Sequence, residues 1–303
     1  KRIPMSSNIR GSIVALVTPM QADGSLDLVA LDRLIDWHVE SGTHALVVVG
    51  TTGESATLSV QEHCDLVAHC VQVTRKRISV IAGSGSNSTE EALYFTKSAR
   101  QHGADACLLV TPYYNKPSQE GLYQHFKAVA EAVDIPQILY NVPSRTACDL
   151  ALETVDRLAD LDNIVGIKDA TGDVARGKQL IQRCGDRLAI YSGEDAVTLS
   201  LMMDGADGTI SVTANVAPVL MAKMCSCALS GDSQRAREID ERLGLLHRNL
   251  FLEANPSPVK WALWKMGLIK KGIRLPLVEL DAKFHIQVIE ALARAGIELP
   301  QAA

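Results

Sequence analysis

Apolar residues gather into short, β-branched runs spaced along the first two thirds of the chain. They are Ser12 to Thr18, Ala45 to Val49, Ser79 to Ala82, Ala106 to Val110, Gln137 to Tyr140, Ile164 to Lys168, Ala189 to Ser192 and Thr209 to Val212. Each has the length of a strand, and their near-continuous apolar character is that of strands covered on both faces. Between them lie amphipathic segments of helix length, such as Leu28 to Glu40, Val60 to Thr74, Glu90 to His102, Gln119 to Ala132 and Leu152 to Ala159. Strand followed by helix, repeated without a shift in composition, is the rhythm of a parallel sheet. A doubly wound sheet shares that rhythm but usually stops at about five or six strands. About eight runs predict a (β/α)8 barrel of the TIM type.

After Val212 the strand pattern ends. Val219 to Ser230, Gln234 to Phe251, Pro258 to Met266 and Ala282 to Ala295 have helical periodicity. The expected organisation is a barrel over residues 9–230 and a C-terminal helical domain over 231–303. Pro256 and Pro258 suit a helix start, and Trp261 and Trp264 share one face, as packing residues.

A chain of 303 residues with 47% hydrophobic and 21% charged residues is a folded chain rather than a disordered one. A formal net charge of -5 offers no basic field, so nucleic acid is not an expected partner. No apolar run approaches the roughly 20 residues of a membrane span, so no membrane partner is expected. Residues 1–8 lack the apolar segment of a signal peptide and read as a tail. Seven cysteines, an odd number in a long chain, read as reduced thiols of a cytoplasmic protein. Cys225 and Cys227 lack the spacing of a redox or zinc motif and read as small helix residues.

Chemistry in such a barrel belongs at the carboxyl ends of the strands, and there Lys168 closes the run from Asn163. Alternation predicts Ile164, Gly166 and Lys168 on one face, with Val165 and Ile167 on the other. An unperturbed lysine at neutral pH is uncharged in only about one molecule in 2,500. Enclosure disfavours the ammonium and so favours the form that attacks a ketone. A lysine reaching out from a strand end, or paired structurally with Asp169 or Glu54, is equally open from position alone.

Tyr140 ends the neighbouring strand, where a phenol can shuttle protons, or simply pack. Arg145 follows in a loop, and its planar fork suits a carboxylate if it is not a plain surface arginine. Gly50-Thr51-Thr52-Gly53 offers hydroxyls and permissive backbone matched to a small anion. It is no phosphate loop, because no Gly-Lys-Ser/Thr follows, and Gly83-Ser-Gly85 lacks the third glycine of a dinucleotide fingerprint. The eight histidines form no i, i+4 pair, no metal-ligand spacing is visible, and no Gly-x-Ser-x-Gly elbow occurs. No metal or nucleotide cofactor is expected.

Gly50-Thr-Thr-Gly-Glu-Ser55, Val110-Thr-Pro-Tyr-Tyr-Asn115, Tyr140-Asn-Val-Pro-Ser-Arg-Thr146, Gly166-Ile-Lys-Asp-Ala-Thr171, Ile210-Ser-Val-Thr-Ala-Asn215 and Asn255-Pro-Ser-Pro-Val-Lys260 occur in that order. Taken together they resemble the dihydrodipicolinate synthase family, over about residues 11–299. The resemblance implies a lysine-dependent class I pyruvate aldolase, a lyase, joining pyruvate to L-aspartate-4-semialdehyde for diaminopimelate and lysine biosynthesis. It implies that Lys168 forms the imine, that Tyr140 moves protons, and that Thr52 and Tyr114 relay them to solvent. It further implies that Thr51 and Thr52 hold the pyruvate carboxylate beside Gly193 and Ile210, and that Arg145 anchors the semialdehyde.

In that family the tyrosine matching Tyr114 comes from an adjacent subunit, so a dimer at least, and usually a homotetramer built as a dimer of dimers, is implied. Positions matching Ser55, Ala56, His63, Asn87, Glu91 and Tyr113 bind lysine as an effector in some relatives. Val60 stands where strongly inhibited relatives carry a histidine, which predicts weak or absent inhibition here. N-acetylneuraminate lyase-like sugar-acid aldolases share the imine chemistry, but Thr51 and Arg145 favour the synthase. A barrel that only binds small acids is the remaining alternative.

Overall fold

The computed structural model describes residues 9–300. The tail expected at residues 1–8 and the last three residues of the expected helical domain, 301–303, lie outside them. Eight parallel strands pair in chain order and close into a barrel, with the last against the first. They are β1 (Gly11–Ala15), β2 (Ala45–Val48), β3 (Ser79–Gly83), β4 (Ala106–Val110), β5 (Gln137–Asn141), β6 (Ile164–Asp169), β7 (Ala189–Ser192) and β8 (Gly208–Ser211).

The sequence-based strands are all present, and all but one of their ends lie within a single residue of the expected position. The first run stops at Ala15 rather than Thr18. Leu16 N–H still donates to Val47, but Val17 N–H turns to the side-chain oxygen of Asn215, 3.1 Å away, and leaves the ladder.

Helices α1 (Leu28–Glu40), α2 (Val60–Thr74), α3 (Thr89–Gln101), α4 (Gln119–Ala132), α5 (Pro143–Thr146), α6 (Leu152–Leu158), α7 (Val174–Cys184), α8 (Thr198–Met203) and α9 (Pro218–Ser230) connect or follow the strands. Their starts are fixed locally. Ser59 and Glu62 form a reciprocal capping box at α2, and the side chains of Asp27, Ser88, Ser118 and Asp173 cap α1, α3, α4 and α7.

Alternation along the strands divides the core in two. Ile13, Val47, Ile81, Leu108, Ile138 and Tyr191 fill the barrel interior. Their neighbours Val14, Leu46, Val80, Leu109, Leu139 and Ile190 face outward to meet Leu34, Leu66, Phe126, Leu180 and Met221 from the helices. Each large apolar side chain buried this way stabilises the fold by about 1.5–3 kcal/mol.

Strand β6 departs from simple alternation. Gln137 pairs with Ile164 but Ile138 pairs with Gly166, so Val165 is an extra residue without a partner, a β-bulge. The bulge turns Ile164 into the outer layer with Ile167 and brings Val165 against the interior, reversing the expectation for those two residues. Beyond it Gly166 and Lys168 face the interior as expected. A Cβ on Gly166 would lie 3.2 Å from the Tyr191 ring and 2.9 Å from the Ala189 carbonyl oxygen. Glycine there makes room for Tyr191, whose hydroxyl donates to the Ile9 carbonyl at 2.7 Å.

The chain then turns at Gly231, a left-handed helix cap with φ of 83°, into α10 (Ser233–Asn249), α11 (Ser257–Lys265) and α12 (His285–Arg294). Helix α10 packs on α9 and α12. Trp261 stacks on His285 with ring centroids 4.2 Å apart and meets Trp264 edge-on, so the tryptophans hold the tail together. Among the described residues no helix is long and apolar enough to cross a membrane, and the cysteines are free thiols.

Candidate active site

Strand β6 delivers Lys168 to the carboxyl-terminal mouth of the barrel, where the side chain is only 6% exposed. Two acids close in sequence or space could have neutralised it, and both are engaged elsewhere. Asp169 accepts from Arg176 Nε at 2.8 Å, Asn141 Nδ2 at 3.2 Å and Thr171 Oγ1 at 2.5 Å. The Glu54 carboxylate is buried against Lys260. The structural pairing of Lys168 with Asp169 or Glu54, open from sequence, is therefore not what forms. Among the described residues Lys168 has no carboxylate within ion-pair distance.

Its nearest aromatic neighbour is Tyr140, with the amine nitrogen 4.2 Å from the ring centroid. Gly193 packs against the other side of the lysine stem. A Cβ there would fall 2.8 Å from Lys168 Cε and 2.6 Å from Ala170 Cβ, so any larger residue would displace the amine. Glu194 follows, half-buried. Burial first, then the charge of Asp195, holds its carboxyl above the usual range, against the opposing pull of Lys168.

A cavity of about 50 Å³ opens above these groups, lined by Thr51, Thr52, Tyr140 and Lys168 together with Gly50, Val110 and Leu108. Its size suits a ligand of a few heavy atoms rather than a nucleotide. The same cavity reaches Ser55 and His63. Ile210 lies deeper, buried in the barrel interior. Thr52 Oγ1 accepts from Asn255 Nδ2 at 2.9 Å, which leaves the threonine's own proton free to donate elsewhere.

The turn carrying these threonines is held in unusual backbone. Val49, a β-branched residue, has φ of 50°, and Glu54 has φ of 58°. Such conformations cost about 1–3 kcal/mol each and persist only where the surroundings impose them. Here Thr18 Oγ1 donates to the Gly53 carbonyl at 2.7 Å, Lys260 pairs with the Glu54 carboxylate, and Arg274 N–H donates to it at 3.2 Å. Burial lowers the Lys260 ammonium from its ordinary value, against the upward pull of Glu54.

Arg145 sits on α5, exposed, with Nη2 donating to the Asn255 carbonyl at 3.4 Å. Tyr114 is 88% exposed, at φ of 74°, and within this chain its ring lies outside the cavity. Tyr113 is partly exposed and its carbonyl accepts from Asn87 Nδ2 at 3.2 Å, while Asn115 Nδ2 donates to the Asn87 carbonyl at 2.9 Å. These two bonds fasten the loop after β4 to the loop after β3.

Of the six residues matched to an effector site, Ser55 and His63 line that cavity, and Ala56, Asn87, Glu91 and Tyr113 do not. Ser55 and Ala56 form a short 3₁₀ turn, and Glu91 accepts from the Ser86 hydroxyl. His63 stacks on Phe95 with centroids 4.0 Å apart, and its Nε2 donates to the Gly83 carbonyl at 2.8 Å, which fixes the neutral tautomer. Burial holds that imidazole below its ordinary range. Among the described residues no group of three or more His, Cys, Asp or Glu is placed to hold a metal ion.

Asn255 and Lys260 are the residues that sequence reasoning left without a role. Both lie in the motif Asn255-Pro-Ser-Pro-Val-Lys260, which pointed to the family but not to the mouth of the barrel, about two hundred residues away in the chain. Only a polar pair of Thr52 with Asn255, or of Glu54 with Lys260, would have signalled the contact, and one sequence contains no such pairing information.

Comparison with known proteins agrees with this geometry. The sequence model of the dihydrodipicolinate synthetase family matches residues 8–295. The 4-hydroxy-tetrahydrodipicolinate synthase of Thioalkalivibrio sulfidiphilus is 61% identical over 289 residues, covering 95% of this chain and 98% of its own. That of Alcanivorax borkumensis is 58% identical with the same coverage. The crystal structure of the chloride-inhibited dihydrodipicolinate synthase from Acinetobacter baumannii, complexed with pyruvate, superimposes with a TM-score of 0.94 at 56% identity. It covers 96% of this chain and 100% of that one. A monomeric dihydrodipicolinate synthase variant gives 0.93 at 42% identity, covering 95% of this chain and 97% of that one. These relatives are synthases, not sugar-acid lyases or binding proteins. With the barrel, the enclosed lysine and the family match in agreement, the chain belongs to the dihydrodipicolinate synthetase family.

Proposed function

We propose that this enzyme condenses pyruvate with L-aspartate-4-semialdehyde to 4-hydroxy-tetrahydrodipicolinate, as a lyase of diaminopimelate and lysine biosynthesis. The names of its relatives at 56–61% identity support that activity. The observation that carries the chemistry is a buried amine, Lys168, with no carboxylate in ion-pair contact among the described residues, Asp169 and Glu54 being committed to Arg176 and Lys260.

Lys168 Nζ attacks the keto carbon of pyruvate, and loss of water from the carbinolamine gives an imine. The imine withdraws electrons, so a methyl proton leaves and an enamine forms. The enamine carbon attacks the aldehyde carbon of the semialdehyde. The amine of that substrate then adds to the imine carbon and closes the ring, and departure of Lys168 regenerates the enzyme. One water is released overall. Tyr140 supplies and removes protons at the carbinolamine, with Thr52 and Tyr114 as the path to solvent. Thr51 and Thr52 hold the pyruvate carboxylate, Gly193 and Ile210 wall its pocket, and Arg145 receives the carboxylate of the semialdehyde.

Tyr114 enters this scheme from a second copy of the chain. Its exposed ring, the adjacent Tyr113 and the exposed Tyr94 on α3 support a subunit contact there. The assembly in this reading is a homotetramer of two dimers, with a barrel of residues 9–230 and a helical domain of 231–303 in each subunit. Free thiols among the described residues support a reducing, cytoplasmic setting.

Incubation with pyruvate and borohydride, followed by peptide mass spectrometry, tests the imine. A pyruvate-derived adduct on Lys168 is expected. An adduct on another residue, or none, refutes the mechanism. Product identification with aspartate semialdehyde and with sugar-derived aldehydes then tests the second substrate.

A further inference from the structure

We propose that Lys260, from the C-terminal helical segment, is a positioning residue for pyruvate, acting through Glu54 to neutralise the negative charge beneath the threonine turn. The inference rests on the imine reading above and assigns a role to a residue outside its chemistry.

The turn Gly50 to Gly53 presents Thr51 and Thr52 to the cavity that contains Lys168. Two residues beyond Thr52, the Glu54 side chain is completely buried and cannot be screened by water. An anionic substrate resting on this turn faces that carboxylate through protein rather than solvent, where charges act over longer range. Lys260, itself only 4% exposed, places its ammonium on Glu54 Oε1. Arg274 adds a backbone N–H to Glu54 Oε2 and commits its guanidinium to Glu62, at 2.7 and 2.9 Å. The four side chains Glu54, Lys260, Glu62 and Arg274 sum to zero charge, so the turn is left without a net anion behind it.

The same tail segment reaches the turn a second time. Asn255, five residues before Lys260, donates to Thr52 Oγ1. Its carbonyl accepts from Arg145. The helical tail is thus tied directly to both proposed carboxylate sites, one of them through a buried charge.

A buried ion pair often adds little net stability over an apolar pair of similar volume, whereas removing one partner leaves a costly lone charge. That asymmetry separates positioning from bulk structure. The experiment measures the pyruvate concentration giving half-maximal reductive trapping on Lys168 in the full-length enzyme. Lys260→Met, which leaves Glu54 uncompensated, should raise it about tenfold. Glu54→Gln should leave it unchanged or lower it. The Glu54→Gln/Lys260→Met double variant should return it to within about threefold of the parent.

A rise below about fivefold in Lys260→Met, or no recovery in the double variant, overturns the proposal. If Lys260→Met does not fold, Glu54→Gln and the double variant decide, and a fivefold rise in either overturns it. A purely steric brace predicts that rise in both, since both lose the ion pair. Failure of the imine reading is seen separately, as no adduct on Lys168 in the parent enzyme at saturating pyruvate.

Discussion

Tyr140 and Lys168 are direct partners across the β5–β6 ladder, and the lysine nitrogen lies 4.2 Å from the centre of the tyrosine ring. Register fixes this pairing. A slip of one residue in either strand would send one of the two side chains into the layer between barrel and helices. The bulge at Val165 lies upstream of both, so the irregular start of β6 does not disturb it.

Tyr140→Phe keeps the ring beside the amine and removes only the hydroxyl. Imine formation, followed as the rate of borohydride-trapped adduct, should slow by roughly 10² to 10⁴, the range for a positioned acid–base group. An unchanged rate would move the proton work to another residue.

Arg145→Ala should separate the two half-reactions. Arg145 stands on α5, outside the cavity that holds Lys168, and touches the Asn255 carbonyl rather than the threonine turn. Trapping with pyruvate should remain within about threefold of the parent, while turnover with aspartate semialdehyde falls by about 10² or more, as expected for a lost charged contact to substrate. Equal loss of both steps contradicts the assigned role.

Tyr114 exposes 88% of its surface, and its left-handed backbone holds the ring away from its own barrel. Mixed dimers of two weak variants, Tyr114→Phe and Lys168→Ala, should recover activity that neither homodimer has, because one of the two sites is then intact. Subunit exchange followed by an activity assay checks this. No recovery places the tyrosine in the site of its own subunit.

Lysine should inhibit weakly or not at all. Val60, at the first turn of α2, is exposed and offers no hydrogen bond, and His63 is already committed to the Gly83 carbonyl. Half-inhibition at submillimolar lysine in a steady-state assay would contradict this.

Stability should fall in mild acid. Burial lowers His38 to about 3 and His125 to about 4, from an ordinary 6.5. Both folded values lie below the unfolded one, so the unfolded chain binds more protons as pH drops below about 6.5. Stability from these groups is complete above that pH and lost progressively towards about 4 for His125 and about 3 for His38, by up to about 1.4 kcal/mol per pH unit for each histidine. Denaturant midpoints between pH 7 and pH 4.5 should show this slope, and His38→Gln should reduce it by about one proton.

The strands were legible because burial on both faces demands unbroken apolar runs, and their number implied closure. Helices α1, α2 and α4 were legible to the residue because caps and periodicity are local. The short α5 and α8 span too few residues for a periodic pattern and do not stand out in the sequence, whereas α7 has the same local signals as α1, an apolar stripe and the Asp173 cap. The bulge in β6 left no local mark, since Ile164 and Val165 are equally apolar and either could face inward. The roles of Lys168, Tyr140, Thr51, Thr52, Tyr114 and Arg145 came from ordered motifs, and position alone left each open.

The sequence by itself determined the barrel, the order of its strands and the lysine at the end of the sixth, because backbone propensity and the period of burial act between near neighbours. Tertiary structure alone decided which charges meet. Asp169 could reach Lys168 or Arg176, and Glu54 could reach Lys168 or Lys260, with nothing in the linear chain to choose between them. Folding chose because a buried carboxylate must find a cation and hydrogen-bond donors at fixed geometry. Arg176 and Lys260 were brought to those places by α7 and α11. That choice leaves Lys168 a buried amine with no ion-pair partner among the described residues, which is the condition its chemistry requires.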